Sequence, residues 1–385
     1  MKVLHVINSL SGSGGAEQGL VREITHFDPF VESLVVRLFE ANELETRLTS
    51  HGIDVVSLGM ASSKSAWTWP VAARRVRNLV SSFRPDIVHT SLFTGNLVGQ
   101  LAAARSGVPV LSTLTLTGDE RLHRQLQPGA NTWKAALLRS VAARIGRRQN
   151  IRYRAITADT ASTNMKVMRI DPSRITVIPR GVPMADAEPD RRRFGIPDEV
   201  PLVVNIARLA AQKGQRLLLQ AFRQMRESIP DAHLAIAGRE ADATSAIRQE
   251  VVDLGLEESV HLLGYRDDVP VLLASANLFM FSSLAEGLGT ALIEAMAAGV
   301  PVVAFDIPPV REVTDKGRYA RLVPVGNVEK LSVAGIKALS DPPAARLEAQ
   351  VWALERFSVR KIAAEVQALM ESVIEDVSFR RSVPA

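Results

Sequence analysis

The sequence contains no cysteine, no long apolar run and few aromatic residues. Without cysteine there can be neither a disulfide framework nor a thiolate metal site. Nowhere do 18 apolar residues follow one another, so no membrane-spanning helix is predicted. The first ten residues, MKVLHVINSL, lead into a glycine-rich loop without the small-residue cleavage site of a secretory signal. We therefore expect a cytoplasmic protein that does not cross the membrane.

The chain length of 385 residues predicts two domains, because it exceeds what one ordinary core supports. Hydrophobic residues make up 46% of the chain and charged residues 23%, a balance that is typical of globular proteins and excludes disorder. Short apolar runs alternate with amphipathic stretches, and this pattern predicts strand–helix units that build parallel sheets.

The predicted strands form two successive series. The first is KVLHVI, ESLVVRLF, IDVVSLG, PDIVHTS, PVLSTLT, RAITAD and RITVIP; the second is PLVVNIA, AHLAIAG, SVHLLG, ANLFMFSS, VPVVAFD and ARLVPV. Because the series restarts, we expect an α/β protein of two doubly wound, Rossmann-like parallel-sheet domains facing a central cleft. In such sheets ligands bind beyond the carboxyl ends of the strands.

The domain boundary is expected within residues 181–201, GVPMADAEPDRRRFGIPDEVP, which are rich in proline and charge and read as a linker. We place the first domain at residues 1–182 and the second at 183–364. The apolar stripe near the carboxyl terminus predicts a helix, from about residue 365 to 385, that packs back on the first domain.

Positive charge is concentrated in the first half of the chain. Residues 1–182 contain 23 lysines and arginines against 13 acidic residues, whereas the whole chain has a net charge of +5. The segment Asn131 to Arg154 holds seven basic residues and no acidic one, with apolar residues at helical spacing. It could dock on an anionic membrane surface, or it could be a core-packed helix with a solvated basic face. Nucleic acid is not expected as a partner, because aromatic residues are not interleaved and no nucleic-acid-binding motif is present.

A glycine-rich loop, LSGSGGAEQGLVRE from Leu10 to Glu23, follows the first predicted strand and opens a helix. Gly14 and Gly15 allow close backbone approach, and the helix amino terminus attracts a phosphate or a sugar hydroxyl, so we expect these two glycines to bind the donor. The spacing is not the dinucleotide fingerprint. A purely structural tight turn is the alternative.

Two cations follow the first strand of the second series, in NIARLAAQKGQ. Arg208 and Lys213 could clamp a diphosphate, arginine by its fork and lysine as a point charge. Alternatively they are two solvated surface charges.

Two carboxylates lie in the otherwise apolar or small-residue stretch SSLAEGLGTALIEAMAAG. Glu286 precedes Gly287, Leu288, Gly289 and Thr290, where a helix is predicted to begin and its amides can face an anion. Glu294 lies one turn into that helix. Because a buried carboxylate needs hydrogen-bond donors, we expect Glu286 to meet sugar hydroxyls and Glu294 a ribose diol. Alternatively, such a glutamate points to solvent or pairs with a basic side chain.

These motifs together resemble the retaining nucleotide-sugar glycosyltransferases of family four, which have the GT-B architecture. The resemblance covers nearly the whole chain, and its motifs occur in the family's order: GGAE, ITADTAST, VIPRGV, ARLAAQKG, AIAGRE, LLGYRDDV and SSLAEGLGTALIEAMAAGVPVVA. Glu286 and Glu294 match the family's E-x7-E pair.

The resemblance implies a role for each matched residue. Arg208 and Lys213 would bind the donor diphosphate, Glu286 would face the donor sugar and Glu294 would hold the ribose. The segment of Gly264, Tyr265 and Arg266 would lie near the base, while Glu312 matches a frequent acidic position that could simply brace its helix. The first domain would then be the acceptor side and the second the nucleotide-sugar side.

The chain departs from the family at one acceptor-side position. Many relatives carry a histidine where this sequence has Thr115. His89 and His123 could compensate for the missing imidazole, although a lone histidine is more often structural.

The sequence thus predicts transfer of a sugar from a UDP-, GDP- or other nucleotide sugar to a sugar or lipid-linked acceptor, in cell-surface glycan or glycolipid synthesis. No cofactor and no metal site are predicted, because no Asp-x-Asp motif closes a suitable strand and Arg208, Lys213 and the helix terminus could replace a metal. Retention is the family's habit. The alternatives are a nucleotide-sugar epimerase or hydrolase, a non-catalytic nucleotide-binding module, and a dehydrogenase, which the poor fingerprint disfavours.

Overall fold

The structure is a computed structural model of the chain, and it describes residues 1–12, 14–60, 68–104, 106–115, 144–145, 150–183 and 187–382. The described residues divide into two compact units. Unit 1 holds the described residues up to Gly181 and the chain from Val359 onward, and unit 2 holds Val182–Ser358. Among the described residues, the chain passes from unit 1 to unit 2 between Gly181 and Val182, next to the expected boundary.

Unit 1 contains a seven-stranded parallel sheet with the strand order β3-β2-β1-β4-β5-β6-β7. Its strands are β1 (Lys2–Ile7), β2 (Glu32–Phe39), β3 (Asp54–Met60), β4 (Ile87–Ser91), β5 (Val110–Leu114), β6 (Ile151–Ala155) and β7 (Ile175–Val177). The helices that precede unit 2 are α1 (Gly15–Ile24), α2 (Glu45–Thr49), α3 (Trp69–Phe83), α4 (Phe93–Ala103) and α5 (Ala158–Met168).

The central strands of unit 1 are buried along their whole length, including their polar residues. Every residue of β4 and β5 is buried, as expected for parallel strands covered on both faces. Their polar side chains bond to one another across the sheet: His89 Nε2 lies 2.9 Å from Thr113 Oγ1, and Thr90 Oγ1 lies 2.8 Å from Ser112 Oγ. These bonds remove the cost of placing polar groups in the core.

Unit 2 contains a six-stranded parallel sheet with the strand order β10-β9-β8-β11-β12-β13. Its strands are β8 (Leu202–Ile206), β9 (His233–Ala237), β10 (Val260–Gly264), β11 (Leu278–Phe281), β12 (Val302–Phe305) and β13 (Arg321–Val323). Its helices are α6 (Gln215–Ser228), α7 (Thr244–Asp253), α8 (Val269–Ala274), α9 (Thr290–Ala297), α10 (Pro308–Val313), α11 (Val328–Ala338) and α12 (Pro343–Phe357). The two sheets confirm the predicted fold class of two Rossmann-like α/β domains.

One predicted strand is misplaced. RAITAD predicts a strand from Arg154 to Asp159, whereas β6 covers Ile151–Ala155. The apolar pattern misses its beginning because Arg152 and Arg154 lie within it. Arg154 is nevertheless fully buried, since its charge is paired with Glu23 of α1.

The predicted linker is wrong in its second half, because residues from Asp190 onward pack on unit 2. The Arg191 guanidinium donates to the Ser275 carbonyl at 3.0 Å and to Asn277 Oδ1 at 2.7 Å. Phe194 and Ile196 are buried.

The last helix, α13 (Val359–Ser382), belongs to unit 1 and begins earlier than the expected residue 365. Its apolar stripe joins residues from three strands and the segment after β7 in one core cluster: Val3, Ile87, Leu111 and Ile178 with Ile362, Val366, Met370 and Val373. Among the residues described, no helix has both the length and the apolar character needed to span a bilayer.

Candidate functional site

Four neighbouring strands of unit 2 carry polar residues just beyond their carboxyl ends. In the order β10, β9, β8 and β11, these strands lead to Tyr265, Arg239, Arg208 and Glu286. Because the strands are parallel, their carboxyl ends share one edge of the sheet, where α/β proteins bind ligands. The sequence motifs of the second half therefore converge on this edge.

The loop between β8 and α6 positions the two predicted cations. The Arg208 side chain is exposed, whereas Lys213 is half-buried at the end of a short 3-10 turn over Ala211–Lys213. Gly214 follows with a φ of +64°, and a Cβ on it would lie 2.1 Å from the Ser282 carbonyl oxygen. Only glycine permits both this conformation and this approach. The glycine therefore brings Lys213 against the end of β11.

Lys213 and Glu286 form an ion pair in which Lys213 Nζ lies 2.5 Å from Glu286 Oε1. Both side chains are largely buried, at 13% and 12% exposure. Ser283 Oγ also donates to Glu286 Oε1, at 2.7 Å, and Ser282 Oγ donates to the Lys213 carbonyl at 2.8 Å. The structure thus joins the β8–α6 and β11–α9 loops through a cation and a carboxylate that lie 73 positions apart in sequence.

Helix α9 begins at Thr290, four residues after Glu286. Its N-cap, Gly289, has a φ of +91°, and the first intrahelical bond runs from the Leu292 amide to the Gly289 carbonyl. The amides of Thr290 and Ala291 precede that bond, so they belong to the electropositive end of the helix. Leu288 is buried and anchors the turn. Glu294 is half-buried one turn further on.

The segment after β10 places an aromatic ring at the same edge. Tyr265 is 44% exposed, and the Arg239 guanidinium lies 4.4 Å from its ring centroid. Arg266 makes two hydrogen bonds to Asp268, at 2.8 and 2.5 Å. These bonds raise the pKa of Arg266 and lower that of Asp268, so the two side chains form an ion pair. Gly264 has a φ of +65° and sets the direction of the turn.

Comparison with known proteins gives the family. Residues 18–181 match the family described as glycosyl transferase 4-like domain, and residues 186–350 match glycosyl transferases group 1. The Anabaena protein HepE, solved in complex with UDP and glucose, has the same fold: it covers 97% of this chain and 100% of its own, with a TM-score of 0.81 at 23% identity. The chain is a family-four glycosyltransferase of the GT-B fold.

Several relatives of this glycosyltransferase align with more than half of its length, among them the following two. The 2-deoxystreptamine glucosyltransferase of Streptomyces kanamyceticus is 25% identical over 366 residues, which is 89% of this chain and 90% of the relative. The UDP-Gal:alpha-D-GlcNAc-diphosphoundecaprenol alpha-1,3-galactosyltransferase of Escherichia coli is 26% identical over 239 residues, 60% of each chain.

In unit 1 of the glycosyltransferase, the glycine loop leads into α1 as predicted. Gly14 is the N-cap of α1 and Gly15 its first residue. A Cβ on Gly14 would meet only the carboxylate of Glu17, the flexible end of a side chain, and Gly14 has an ordinary extended backbone with a φ of −95°. Gln18 Nε2 donates to the Gly12 carbonyl at 2.5 Å and holds the loop against α1.

The structure describes His89 but not His123, the two histidines predicted on the acceptor side. His89 lies inside β4 with 1% exposure, and its ring nitrogens meet His5 Nδ1 at 3.1 Å and Thr113 Oγ1 at 2.9 Å. Burial, together with the nearby Arg154 and Arg180 charges, lowers the pKa of His89 to about 3. His89 is therefore a neutral core residue and does not replace the missing imidazole. Thr115 follows β5 and is half-buried, and His123 lies outside the described residues.

The predicted basic helix from Asn131 to Arg154 falls mostly outside the described residues. Its described end contradicts the prediction, because Ile151–Ala155 is a strand. Arg154 is buried against Glu23, and Arg152 pairs with Asp376 at 3.2 Å, so these two arginines are not part of a free basic face.

Sequence reasoning missed Arg239 and Ser283 as site residues. Arg239 lies in the AIAGRE motif, whose position after β9 could have identified it, whereas nothing in the sequence marked Ser283 as a partner of Glu286. Glu312 is exposed on α10. Within the described ranges, no group of three or more His, Asp or Glu side chains is arranged to hold a metal ion.

Proposed function

We propose that this glycosyltransferase moves a sugar from a nucleotide-diphosphate sugar to an acceptor hydroxyl, with retention of configuration and without a metal ion. The observation that supports this most directly is the Lys213–Glu286 pair. It places a cation and a carboxylate side by side at the carboxyl edge of the unit 2 sheet, next to the amino terminus of α9.

The pair retains hydrogen-bonding capacity for a substrate. A lysine ammonium has three donors, and one of them is directed at Glu286 Oε1. Two donors remain for phosphate oxygens. Glu286 Oε1 accepts bonds from Lys213 and Ser283, which leaves Oε2 as the acceptor for a sugar hydroxyl.

Charge develops in two places when a glycosyl–phosphate bond breaks. The leaving diphosphate becomes more negative, and Lys213, the exposed Arg208 and the α9 amides would stabilise it. The sugar ring becomes positive, and the Glu286 carboxylate favours that charge. Cations and helix amides would thus perform the work that a metal ion performs elsewhere.

The remaining site residues serve the nucleoside in this proposal. Glu294, an acceptor-only group, can take two hydrogen bonds from a ribose diol. Gly264, Tyr265 and Arg266 would lie beside the base, where the exposed tyrosine ring offers an apolar surface. Attack from the face that the leaving group occupies would allow the departing phosphate to accept the acceptor's proton, which gives retention.

The relatives suggest which donors to test first. The E. coli relative is named for UDP-galactose, and the HepE crystal contains UDP and glucose. We therefore propose a UDP-sugar as the first candidate donor, and GDP- and ADP-sugars complete the panel. A ligand that binds only the folded state raises the unfolding temperature by mass action, so thermal unfolding ranks the panel directly.

A product assay separates the proposed activity from its rivals. Transfer yields a glycosylated acceptor, an epimerase changes the free nucleotide sugar, a hydrolase releases free sugar, and a binding module consumes no donor. The anomeric configuration of the product, read by NMR, tests retention, and activity that persists in EDTA tests metal independence. Donor consumption without any glycosylated product would contradict the proposal.

Glu286→Gln should lower the transfer rate about 100-fold, because the amide keeps the shape of the carboxylate but loses its charge opposite the sugar. Glu294→Ala should instead raise the KM for the donor with a smaller change in kcat. Glu257→Gln, an exposed acid of the same unit, is the matched control and should transfer at the native rate. A Glu286→Gln enzyme with native kcat would remove the proposed role of Glu286.

We also propose a role in cell-surface glycan or glycolipid synthesis at the membrane surface. The motivation is the basic segment Asn131 to Arg154, less Arg154, which is buried, and Arg152, which pairs with Asp376, since each surface charge near an anionic leaflet contributes about 1 kcal/mol. Flotation with vesicles that contain phosphatidylserine tests this. Equal recovery with neutral and anionic vesicles would exclude electrostatic docking.

A further inference from the structure

Arg180 is a buried arginine whose guanidinium has no hydrogen-bond partner in the part of the chain that the structure describes. It follows β7 in the segment that leads out of unit 1, and its side chain is 2% exposed. All three guanidinium nitrogens are buried and lack a hydrogen-bond partner. A buried cation of this kind is strongly unfavourable unless an acceptor meets it.

The nearest carboxylate is already occupied. Glu23 Oε2 and Oε1 accept from Arg154 at 2.7 and 2.8 Å, and the Gly181 amide donates to the same carboxylate. Arg180 Nη1 lies 3.8 Å from Glu23 Oε2, beyond hydrogen-bond distance. Two guanidinium groups therefore share one buried carboxylate, and the charge of Glu17 acts on Arg180 only through space, without a hydrogen bond.

Arg154, in contrast, is fully engaged. Besides its two bonds to Glu23, it donates to the carbonyls of Ile178 and Pro179. The two arginines of this cluster thus differ in their hydrogen bonding: protein acceptors satisfy Arg154, whereas Arg180 has no acceptor. This contrast indicates that Arg180 binds a hydrogen-bond acceptor that the protein itself does not supply.

Helix α1 is shaped to admit the Arg180 side chain. Gly19 lies in the interior of this helix, and a Cβ there would be 2.5 Å from Arg180 Cδ and 2.9 Å from Nη1. Glycine is a poor residue for a helix interior. Gly19, a weak helix former, and Arg180, a buried cation without a hydrogen-bond partner, therefore lie in contact. Two destabilising features at one place are typical of binding sites.

We propose that Arg180 binds an oxyanion, a phosphate or a carboxylate, carried by the sugar acceptor. The inference rests on the proposed function for the existence of an acceptor. The planar guanidinium matches two oxygens of either group. The acceptor is the expected source because Arg208 and Lys213, the cations assigned to the donor diphosphate, lie in unit 2, whereas Arg180 lies in unit 1, which is the expected acceptor side.

The test measures thermal unfolding of the full chain without nucleotide. The probes are glucose 6-phosphate, glucuronate and inorganic phosphate, with glucose as the uncharged control and sodium chloride to equalise ionic strength. Near saturation we expect at least one of the two sugar anions to raise the midpoint by about 5 °C, more than inorganic phosphate does, and glucose to have no effect.

Arg180→Met should abolish this response. It removes the unpaired charge while keeping an unbranched side chain, so the ligand-free protein should be at least as stable as the native one. Arg152→Met, at an arginine of the same unit that pairs with Asp376, is the matched control and should keep the response. If the methionine variant does not fold, Arg180→Lys retains the charge without the fork and should bind the same anion at least tenfold more weakly.

Two results would overturn the proposal. The first is a native protein that none of the three anions stabilises, or an Arg180→Met protein that responds like the native one; Arg180 would then be structural. The second is an equal response to inorganic phosphate and both sugar anions, which would make the site one for free phosphate. UDP-dependent stabilisation, measured in parallel, reports on the donor site in unit 2, so a failure there is distinguishable from a failure at Arg180.

Discussion

At the scale of the residue, Glu23 shows how a single carboxylate can organise a core. Burial alone would raise its pKa, but the charges and hydrogen bonds of Arg154, the Arg180 charge and the Gly181 amide outweigh burial and lower it. The carboxylate is therefore ionised in the folded protein. It ties α1 to β6 and to the last residues before unit 2.

Glu23→Gln should destabilise unit 1 by about 3–5 kcal/mol, because two buried guanidinium groups would then lack their counter-charge. Urea unfolding at pH 7 measures this. Glu32→Gln removes a half-exposed partner of Lys2 and should change the unfolding midpoint little. A similar effect of both substitutions would show that the buried cluster is not a special source of stability.

At the scale of the element, the β8–α6 turn determines whether the site residues meet. Gly214 combines a φ of +64° with close approach to Ser282, and Gly255 offers a comparison, since it has a φ of +63° but no atom within 4 Å of a Cβ position. The two glycines have similar backbones in different surroundings.

Gly214→Ala should cost about 2–5 kcal/mol, from backbone strain and a clash with the Ser282 carbonyl, and should also reduce donor affinity because Lys213 is displaced. Gly255→Ala should cost about 1–2 kcal/mol from strain alone and leave donor affinity unchanged. Unfolding curves and donor titrations on both variants test this. Unchanged donor affinity in Gly214→Ala would show that this turn does not position the donor-binding residues.

The element scale also shows where sequence reasoning succeeds. Apolar runs predicted β1 and β2 residue for residue. The pattern failed where a charge is buried or a polar segment is packed. Arg154 in β6 depends on a distant Glu23, and Phe194 in the supposed linker depends on unit 2; neither partner can be read from local periodicity.

At the scale of the whole molecule, each unit contains a pair of close histidines. His5 and His89 in unit 1 have Nδ1 atoms 3.1 Å apart, and His233 Nδ1 lies 2.8 Å from His261 Nε2 in unit 2. Burial is the main cause that lowers the pKa of all four, and the pKa of His89 falls to about 3.

Stability should therefore fall as the pH drops below about 6.5. In that range the histidines bind protons in the unfolded chain but not in the folded protein. Each fully buried histidine therefore lowers the free energy of unfolding by about 1.4 kcal/mol per pH unit. Urea unfolding between pH 7.5 and 5 tests this above the range where carboxylates titrate. His89→Gln should flatten the dependence, and equal stability at pH 7.5 and 5 would contradict it.

The candidate site was more predictable than its internal contacts. Spacing and residue type assigned Arg208, Lys213, Glu286 and Glu294 to one unit, and parallel-sheet topology explains why the strand ends that carry them share an edge. The direct Lys213–Glu286 contact and the unpaired Arg180 could not be predicted, because each depends on side-chain geometry between elements far apart in sequence.

Unit 1 is closed by α13, which comes from the opposite end of the chain and covers Val3, Ile87 and Leu111. During synthesis this apolar face of unit 1 stays uncovered until all of unit 2 and then α13 have been translated. A nascent chain that already has seven strands therefore still lacks part of its core, and this exposed face is where a chaperone would engage it or where a truncated product would aggregate.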